Sequence, residues 1–128
     1  MKIEFFEIQQ EPDFEKEMWR LLIKKRFRRL PKQIQELSEK LEQGEFKGDR
    51  ITRSNFPTPH DIYKLRLPNP DTNVGASNGY RVIYMVVTEH KIVVLLTMYY
   101  KKEQEDVSDE YIQGLIDGYF MLSLPEED

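Results

Sequence analysis

The side chains best suited to chemistry in this sequence are cations and phenols in or just after segments of alternating apolar residues. They are Lys64, Arg66, Arg81, Tyr99, Tyr100, Lys101 and Lys102. Successive side chains of a strand point to opposite faces, so Lys64 and Arg66 share one face. Tyr99 and Lys101 share a parity for the same reason.

Arg81 lies near the start of an otherwise apolar run, beside Tyr80 and Val82. An unpaired charge is costly to bury, so this arginine needs a partner. It either pairs with an internal carboxylate such as Asp61 or Asp106, or it helps to bind an anion on the open face of the sheet. The sequence leaves both alternatives open.

A sheet face that carries Lys, Arg and Tyr suits phosphodiester chemistry. Guanidinium groups bind phosphate oxygens bidentately, and cations stabilise the charge of a phosphorane-like transition state. A lysine or tyrosine near such cations can have a lowered pKa and act in proton transfer. If the substrate is RNA, its own 2′-OH is the nucleophile, and Tyr99 or Tyr100 can stack on an exposed base.

Other classes of site lack their residues. The chain has no cysteine, which excludes disulfide frameworks, thiolate zinc sites and cysteine nucleophiles, and only two histidines, His60 and His90. It has no phosphate-binding loop, no dinucleotide-binding glycine pattern and no His-Glu-x-x-His pair. We therefore expect no cofactor and no metal.

Length and charge set further bounds. A chain of 128 residues suits a single domain, residues 1–128. The net charge of −4 divides into −4 over residues 1–19, +7 over 20–66 and −7 over 67–128. The basic middle either creates a local positive field or forms an ordinary solvated helix face.

No targeting or membrane segment is expected. The N-terminus is too charged for a signal peptide. The longest apolar run, Ile92–Leu96, has five residues, far short of the ~20 that span a membrane. The sequence therefore predicts a soluble cytoplasmic protein.

Periodicity predicts the order of the elements. The first half has a strand at Lys2–Ile8, a helix from Pro12, a break at Leu30-Pro31 and a second helix that stops at Gly44. A loop over Gly48–Pro59 leads to three strands, at Ile62–Leu67, Tyr80–Val87 and Ile92–Tyr100. A last helix begins after Val107 and is capped by Ser108. The short connections between the three late strands require an antiparallel meander. We expect an α+β fold in which this meander packs against an N-terminal helical hairpin and a C-terminal helix. The helices would cover one sheet face, and Lys64 and Arg66 would lie on the other.

Residues 61–117 resemble the RelE/HigB-like toxins of bacterial type II toxin–antitoxin systems, within the RelE/ParE superfamily. The resemblance rests on an ordered series of blocks: Tyr63–Leu67, Gly75 and Ser77 before Gly79–Tyr84, Leu95–Lys102, and then Gln104, Asp106 and Ser108. These blocks are similar to the family's basic strand, its glycine-aromatic-arginine strand start, and its strand that ends near tyrosine and lysine.

The resemblance implies a small toxin that enters the ribosomal A site and cleaves mRNA without a metal or another cofactor, and that a cognate antitoxin neutralises. Arg81 would contact the scissile phosphate, and Lys64 and Arg66 would form the basic pair, with the lysine a candidate for proton transfer. Tyr99 and Lys101 would complete the catalytic set. Tyr100 and Lys102 would join Lys64, Arg66 and Arg81 in binding RNA, and Lys102 would replace Lys101 if the alignment shifts by one residue.

Two features depart from the family. Members of the family are usually basic, whereas this chain has a pI of about 5.3. The predicted helical hairpin of this chain is also longer than in minimal members of the family. An alternative is a non-nucleolytic binding protein of the same fold, either a gyrase-directed ParE-like toxin or an inactive relative that only binds its antitoxin. A further alternative is a domain whose cations only form structural ion pairs.

Overall fold

The structure is a computed structural model, and it describes residues 5–51 and 60–122. Within these ranges the chain forms the strands β1 (Glu7–Gln10), β2 (Asp49–Arg50), β3 (Asp61–Leu67), β4 (Tyr80–Val87) and β5 (Ile92–Tyr100), and the helices α1 (Pro12–Ile23), α2 (Leu30–Glu42) and α3 (Asp109–Leu122). A short 3₁₀ turn, Thr88–His90, joins β4 to β5. The predicted α+β fold class is confirmed.

Differences from the predicted elements lie at the sheet edges. The first strand was expected at Lys2–Ile8, but it runs over Glu7–Gln10, and residues 1–4 lie outside the described residues. The segment Gly48–Pro59 was expected to be a loop, yet Asp49 and Arg50 form a strand against β3. Residues 52–59 of that segment also lie outside the described part.

The sheet has the strand order β1-β5-β4-β3-β2. β2 to β5 pair with their sequence neighbours in antiparallel fashion, which confirms the predicted meander. β1 pairs in parallel with β5, from Glu7 opposite Ile92 to Gln10 opposite Leu95. The sheet is therefore mixed, because α1 and α2 carry the chain away from β1 before the meander begins.

Helices cover both faces of the sheet. α1 and α2 pack on the face that includes Val82 and Tyr84, whereas α3 packs on the face that includes Ile83 and Met85. The expectation that helices cover one face only was wrong. The physical reason is that every residue of β4 and β5 is buried, so both faces of this pair need an apolar cover.

The helix ends follow the expected local signals. Ser108 Oγ accepts a hydrogen bond from the Tyr111 N–H at 3.1 Å, as an N-cap does. Pro31 lies in the first turn of α2, where a missing N–H costs nothing. Gly44 follows the end of α2 with a φ of 82°, a left-handed conformation that favours glycine. No helix in the described ranges has the length and apolar character needed to cross a membrane.

Gly79 marks the end of the sheet where β4 begins and β5 ends. Its carbonyl accepts a hydrogen bond from the Lys101 N–H at 2.8 Å. A side chain at this position would collide with the Leu67 carbonyl oxygen and would lie 2.9 Å from the Pro68 Cα. Only glycine lets the chain enter β4 this close to the end of β3.

Replacing Gly79 with alanine should therefore lower the free energy of unfolding by more than about 1 kcal/mol, because backbone atoms would have to shift. Gly75→Ala is the matched control, since no atom lies within 4 Å of the added Cβ. It should change stability by less than about 0.5 kcal/mol. Urea unfolding of the two variants measures the difference, and equal stabilities would contradict the close packing at Gly79.

Candidate active site

The strand register places the predicted side chains in a row across the sheet. Arg66 lies opposite Arg81, and Arg81 lies opposite Tyr99. Lys64 lies two residues along β3 from Arg66, opposite Ile83, so it shares their face. α3 covers this face in part. Tyr63, Leu65 and Leu67 lie on the opposite face, which confirms the predicted separation from Lys64 and Arg66.

Asp106 joins two of these side chains. Its Oδ1 accepts hydrogen bonds from Lys64 Nζ at 2.9 Å, Tyr99 OH at 3.2 Å and the Val107 N–H at 2.9 Å. We call Lys64, Tyr99 and Asp106 the Asp106 cluster. The sequence offered Asp106 as a partner for Arg81 and as one residue of the blocks that carry the family resemblance, but it did not pair Asp106 with Lys64 or Tyr99. One signal in the sequence was that Asp106 lies two residues before the N-cap Ser108. A residue there has to lie between the end of β5 and the start of α3.

The cluster stabilises the ionised form of Asp106. Burial alone would raise the pKa of this carboxyl, but the hydrogen bonds from Lys64, Val107 and Tyr99 bring the pKa below its usual value. The pKa of Tyr99 is raised to about 12 by burial and by the nearby Asp106, against an opposing effect of Arg81. The sequence analysis noted that cations can lower the pKa of a nearby lysine or tyrosine. For Tyr99 the pKa moves the other way, because burial and Asp106 outweigh Arg81.

Arg81 holds backbone carbonyls. Its guanidinium donates to the carbonyls of Ala76 at 2.9 Å, Ser77 at 2.8 Å and Tyr80 at 3.3 Å. Within the described ranges Arg81 pairs with neither of the carboxylates proposed for it, since Asp61 lies 3.5 Å from Arg50 and Asp106 binds Lys64. Carbonyls carry no net charge, so these contacts do not pair the guanidinium of Arg81 with an anion.

Exposure divides the row into a surface layer and a buried layer. Arg66 is exposed, and the side chains of Lys64 and Asp106 are 27% and 63% exposed. Arg81 and Tyr99 are only 5% and 2% exposed. An anion that approaches this face therefore meets Lys64, Arg66 and Asp106, with the charge of Arg81 behind them.

The three remaining predicted residues lie elsewhere. Lys101 donates to the Glu105 carbonyl at 2.9 Å in the turn that follows β5, and Lys102 is exposed in that turn. Tyr100 lies on the opposite face, where its ring packs edge-to-face with Phe27 at 5.2 Å between centroids. The structure thus brings Lys64, Arg66, Arg81 and Tyr99 together, but it does not bring Tyr100 to their face.

A cavity of about 360 Å³ lies beside the Asp106 cluster, between the N-terminal ends of α1 and α3. Asp13 closes one side of it. The Asp13 carboxylate accepts hydrogen bonds from Thr97 Oγ1 at 2.6 Å and Tyr111 OH at 2.5 Å. These bonds tie α1 and α3 to β5, and so fix the segment that carries Asp106.

Comparison with known proteins gives matches among solved structures alone. No family model matches the sequence, and no curated protein matches it. Among solved structures, a double-arginine mutant of the E. coli toxin RelE in the free state is similar, with a TM-score of 0.49 and 20% identity over 79% of this chain and 88% of that chain. At this identity and TM-score the likeness assigns no activity to the chain, so function has to be judged from the site.

The stability of the protein at acid pH tests the Asp106 cluster. Because the pKa of Asp106 is lowered in the folded state, its ionised form favours folding. This contribution is complete above the ordinary carboxyl pKa, near 4, and is lost as the pH falls through the folded-state value. Asp106→Asn should therefore be less stable than the parent chain at about pH 7, and its stability should depend less on pH between about 5 and 2.

Asp117→Asn is the control, since Asp117 is an exposed α3 carboxylate that accepts a hydrogen bond from Gln113. Thermal unfolding across the pH range measures both variants. If Asp106→Asn kept the acid dependence of the parent chain, Asp106 would not be the partner that holds Lys64 and Tyr99.

Proposed function

We propose that this chain is the toxin component of a type II toxin–antitoxin system, a ribosome-dependent endoribonuclease that cleaves mRNA. The observation that carries the proposal is the Lys64–Asp106 pair beside Arg66 on a sheet face that α3 covers only in part, with Arg81 beneath it. Such a face attracts a phosphodiester, and its paired acid and base suit proton transfer. The resemblance of residues 61–117 to RelE/HigB-like toxins supports the choice of RNA.

The chemistry follows from the donor and acceptor roles within the pair. Lys64 donates its hydrogen bond to Asp106, so the carboxylate is the group that accepts a proton. In the proposed reaction the 2′-OH of the RNA loses its proton to Asp106 and its oxygen attacks the adjacent phosphorus. The bond from phosphorus to the 5′-oxygen breaks, and that oxygen takes a proton from the Lys64 ammonium.

The products are a 2′,3′-cyclic phosphate and a 5′-hydroxyl. The proton on Asp106 then passes to Lys64 across the 2.9 Å that separate them, which restores both groups. The charges of Arg66 and Arg81 stabilise the negative charge that builds up on the phosphorane. Tyr99 acts as a positioning residue that holds Asp106. The reaction needs no metal, because the substrate supplies its own nucleophile.

The same face supports the proposed partners. Its cations offer an acidic helix or strand of an antitoxin a complementary surface, and binding there would also block the RNA. Ribosome dependence follows from the family that the sequence resembles, since a ribosome would hold the mRNA against the face. Translating ribosomes and mRNA place the proposed activity in the cytoplasm.

The burial of Arg81 and Tyr99 favours the alternative of a non-nucleolytic protein. Arg81 and Tyr99 are almost inaccessible, and Arg81 already holds three carbonyls, as a structural arginine does. A toxin-fold protein that only binds its antitoxin, or that targets gyrase, would need no accessible catalytic arginine. This alternative predicts either no growth arrest, or growth arrest with DNA damage and no RNA cleavage.

The test combines the two partners of the pair. Asp106→Asn and Lys64→Met should each lower mRNA cleavage by about 10²–10⁴-fold, the usual contribution of a general acid or base. The double variant should lose little more than either single variant, because the residues act as a unit. The readout is growth after induction in a bacterial host, together with a map of new RNA 5′ ends in translated messages.

The matched control is a second ion pair near this edge of the sheet, Arg50 with Asp61 at 3.5 Å. Arg50→Met and Asp61→Asn should leave the pattern of 5′ ends unchanged. Growth arrest without new 5′ ends would transfer support to the gyrase-directed alternative. Full cleavage by Asp106→Asn would refute the proposed roles.

A further inference from the structure

The connector between α1 and α2 concentrates positive charge. Five of its six residues, 24–29, are Lys or Arg, and Phe27 is the exception. We call this segment the basic connector. It stands out in a chain whose net charge is −4, and the candidate active site does not use it.

Phe27 fixes the connector to the core. Its side chain is 7% exposed, and its ring packs edge-to-face with those of Tyr80 and Tyr100, with centroids 6.1 and 5.2 Å away. The Arg29 N–H also donates to Asp71 Oδ2 at 3.1 Å. Because the backbone is anchored in this way, the cationic side chains around Phe27 are held on the outside.

Arg26 occupies a backbone conformation that normally favours glycine. Its φ is 59°, just after the end of α1, where a left-handed residue lets the chain leave the helix. A residue with a Cβ is strained there, and glycine would relieve the strain. The turn itself therefore does not favour an arginine at this position.

Most of these cations have no acidic partner among the described residues. Within those ranges, the side chains of Lys24, Arg26, Arg28, Arg29 and the nearby Lys32 are all exposed and form no ion pair. The Asp71 carboxylate lies against the backbone N–H of Arg29 and not against its guanidinium. Lys25 is different, because it shares Glu103 with Arg20, at 3.1 and 2.6 Å. Exposed cations are solvated and screened by salt, so they need no partner within the fold, and a cluster of them attracts polyanions.

The contact of Lys25 with Glu103 places the connector beside the segment that follows β5. This segment carries Lys101 and Lys102, but also Glu103, Glu105 and Asp106, so the run of positive charge ends there. Phe27 anchors the connector on the sheet face of Tyr100. The connector is therefore distinct from the opposite face that carries Lys64, Arg66 and Asp106, which we call the cleavage face.

We propose that the basic connector binds the phosphate backbone of a structured RNA, as a second binding surface separate from the cleavage face. This assignment deepens the proposed function and rests on it for the choice of RNA. The chemistry agrees with that choice, because three of the five cations in the connector are arginines, whose planar guanidinium groups bind phosphate in two-point contacts. Contacts to phosphates would hold the RNA without reading its sequence.

The probe is an RNA duplex of about 16 base pairs, the length that a compact RNA-binding domain covers. Its binding is followed by fluorescence anisotropy at several salt concentrations. The test variant is Lys24→Gln/Arg26→Gln/Arg28→Gln, and the control is Lys16→Gln/Lys40→Gln/Lys47→Gln, which removes the same charge from positions elsewhere on the chain.

The connector variant should bind at least about tenfold more weakly, and the slope of log Kd against log salt should fall by about one for each phosphate that the variant no longer neutralises. The control should bind as the parent chain does. Arg26→Gly should also weaken binding, but its melting temperature should not fall, because glycine fits the left-handed turn. Equally weakened binding by the connector variant and the control would overturn the proposal.

Two further arms separate other outcomes. If the connector variant binds RNA normally but no longer binds anionic phospholipid vesicles, the surface serves a membrane and the proposal fails. Asp106→Asn should still bind the duplex, because the cleavage face is a different surface. If the protein cleaves no mRNA but its duplex binding depends on the connector, the proposed activity is refuted and this inference stands. If the protein cleaves mRNA but its duplex binding does not depend on the connector, this inference is refuted and the proposed activity stands.

Discussion

Burial of both faces of the β4–β5 pair is the constraint on which the rest of the structure depends. All residues of these two strands are buried, so helices must present an apolar face to each side of the pair. α1 and α2 supply one cover and α3 the other, through Ile112, Ile116 and Tyr119. The segment that leads from β5 into α3 must then cross the end of the sheet, and this crossing brings Asp106 over Lys64.

The same constraint explains why the candidate site has two layers. A charged residue in a strand buried on both faces has to find polar partners inside the fold, and Arg81 finds them in the carbonyls of Ala76, Ser77 and Tyr80. β3 lies nearer the edge of the sheet, so Lys64 and Arg66 can reach solvent. The buried arginine supplies fixed charge, and the outer residues supply the groups that meet a ligand.

Local pattern predicted much of the fold, because each signal acts over a few residues. Alternating apolar residues located β3, β4 and β5, and the N-cap Ser108 located the start of α3. The parallel pairing of β1 and the cover by α3 on the second face could not be predicted in this way. Both depend on contacts between segments far apart in the sequence, such as Glu7 with Ile92.

The site shows the same limit. Strand parity placed Lys64 and Arg66 together, but the Lys64–Asp106 pair joins residues 42 positions apart and needs the path of the chain after β5. Tyr100 was grouped with Tyr99 as a residue that stacks on RNA, although adjacent residues of a strand face opposite ways. The raised pKa of Tyr99 depends on its burial, which cation content alone does not reveal.

Cleavage of a defined message on a stalled ribosome tests the central claim most directly. The purified protein is added to ribosomes that hold an mRNA with an open A site, and the same message is prepared with 2′-deoxynucleotides at the A-site codon. We predict cleavage of the first message to a 2′,3′-cyclic phosphate and a 5′-hydroxyl, and no cleavage of the second. Cleavage of the 2′-deoxy message, or none of either, would contradict attack by the 2′-OH at this site.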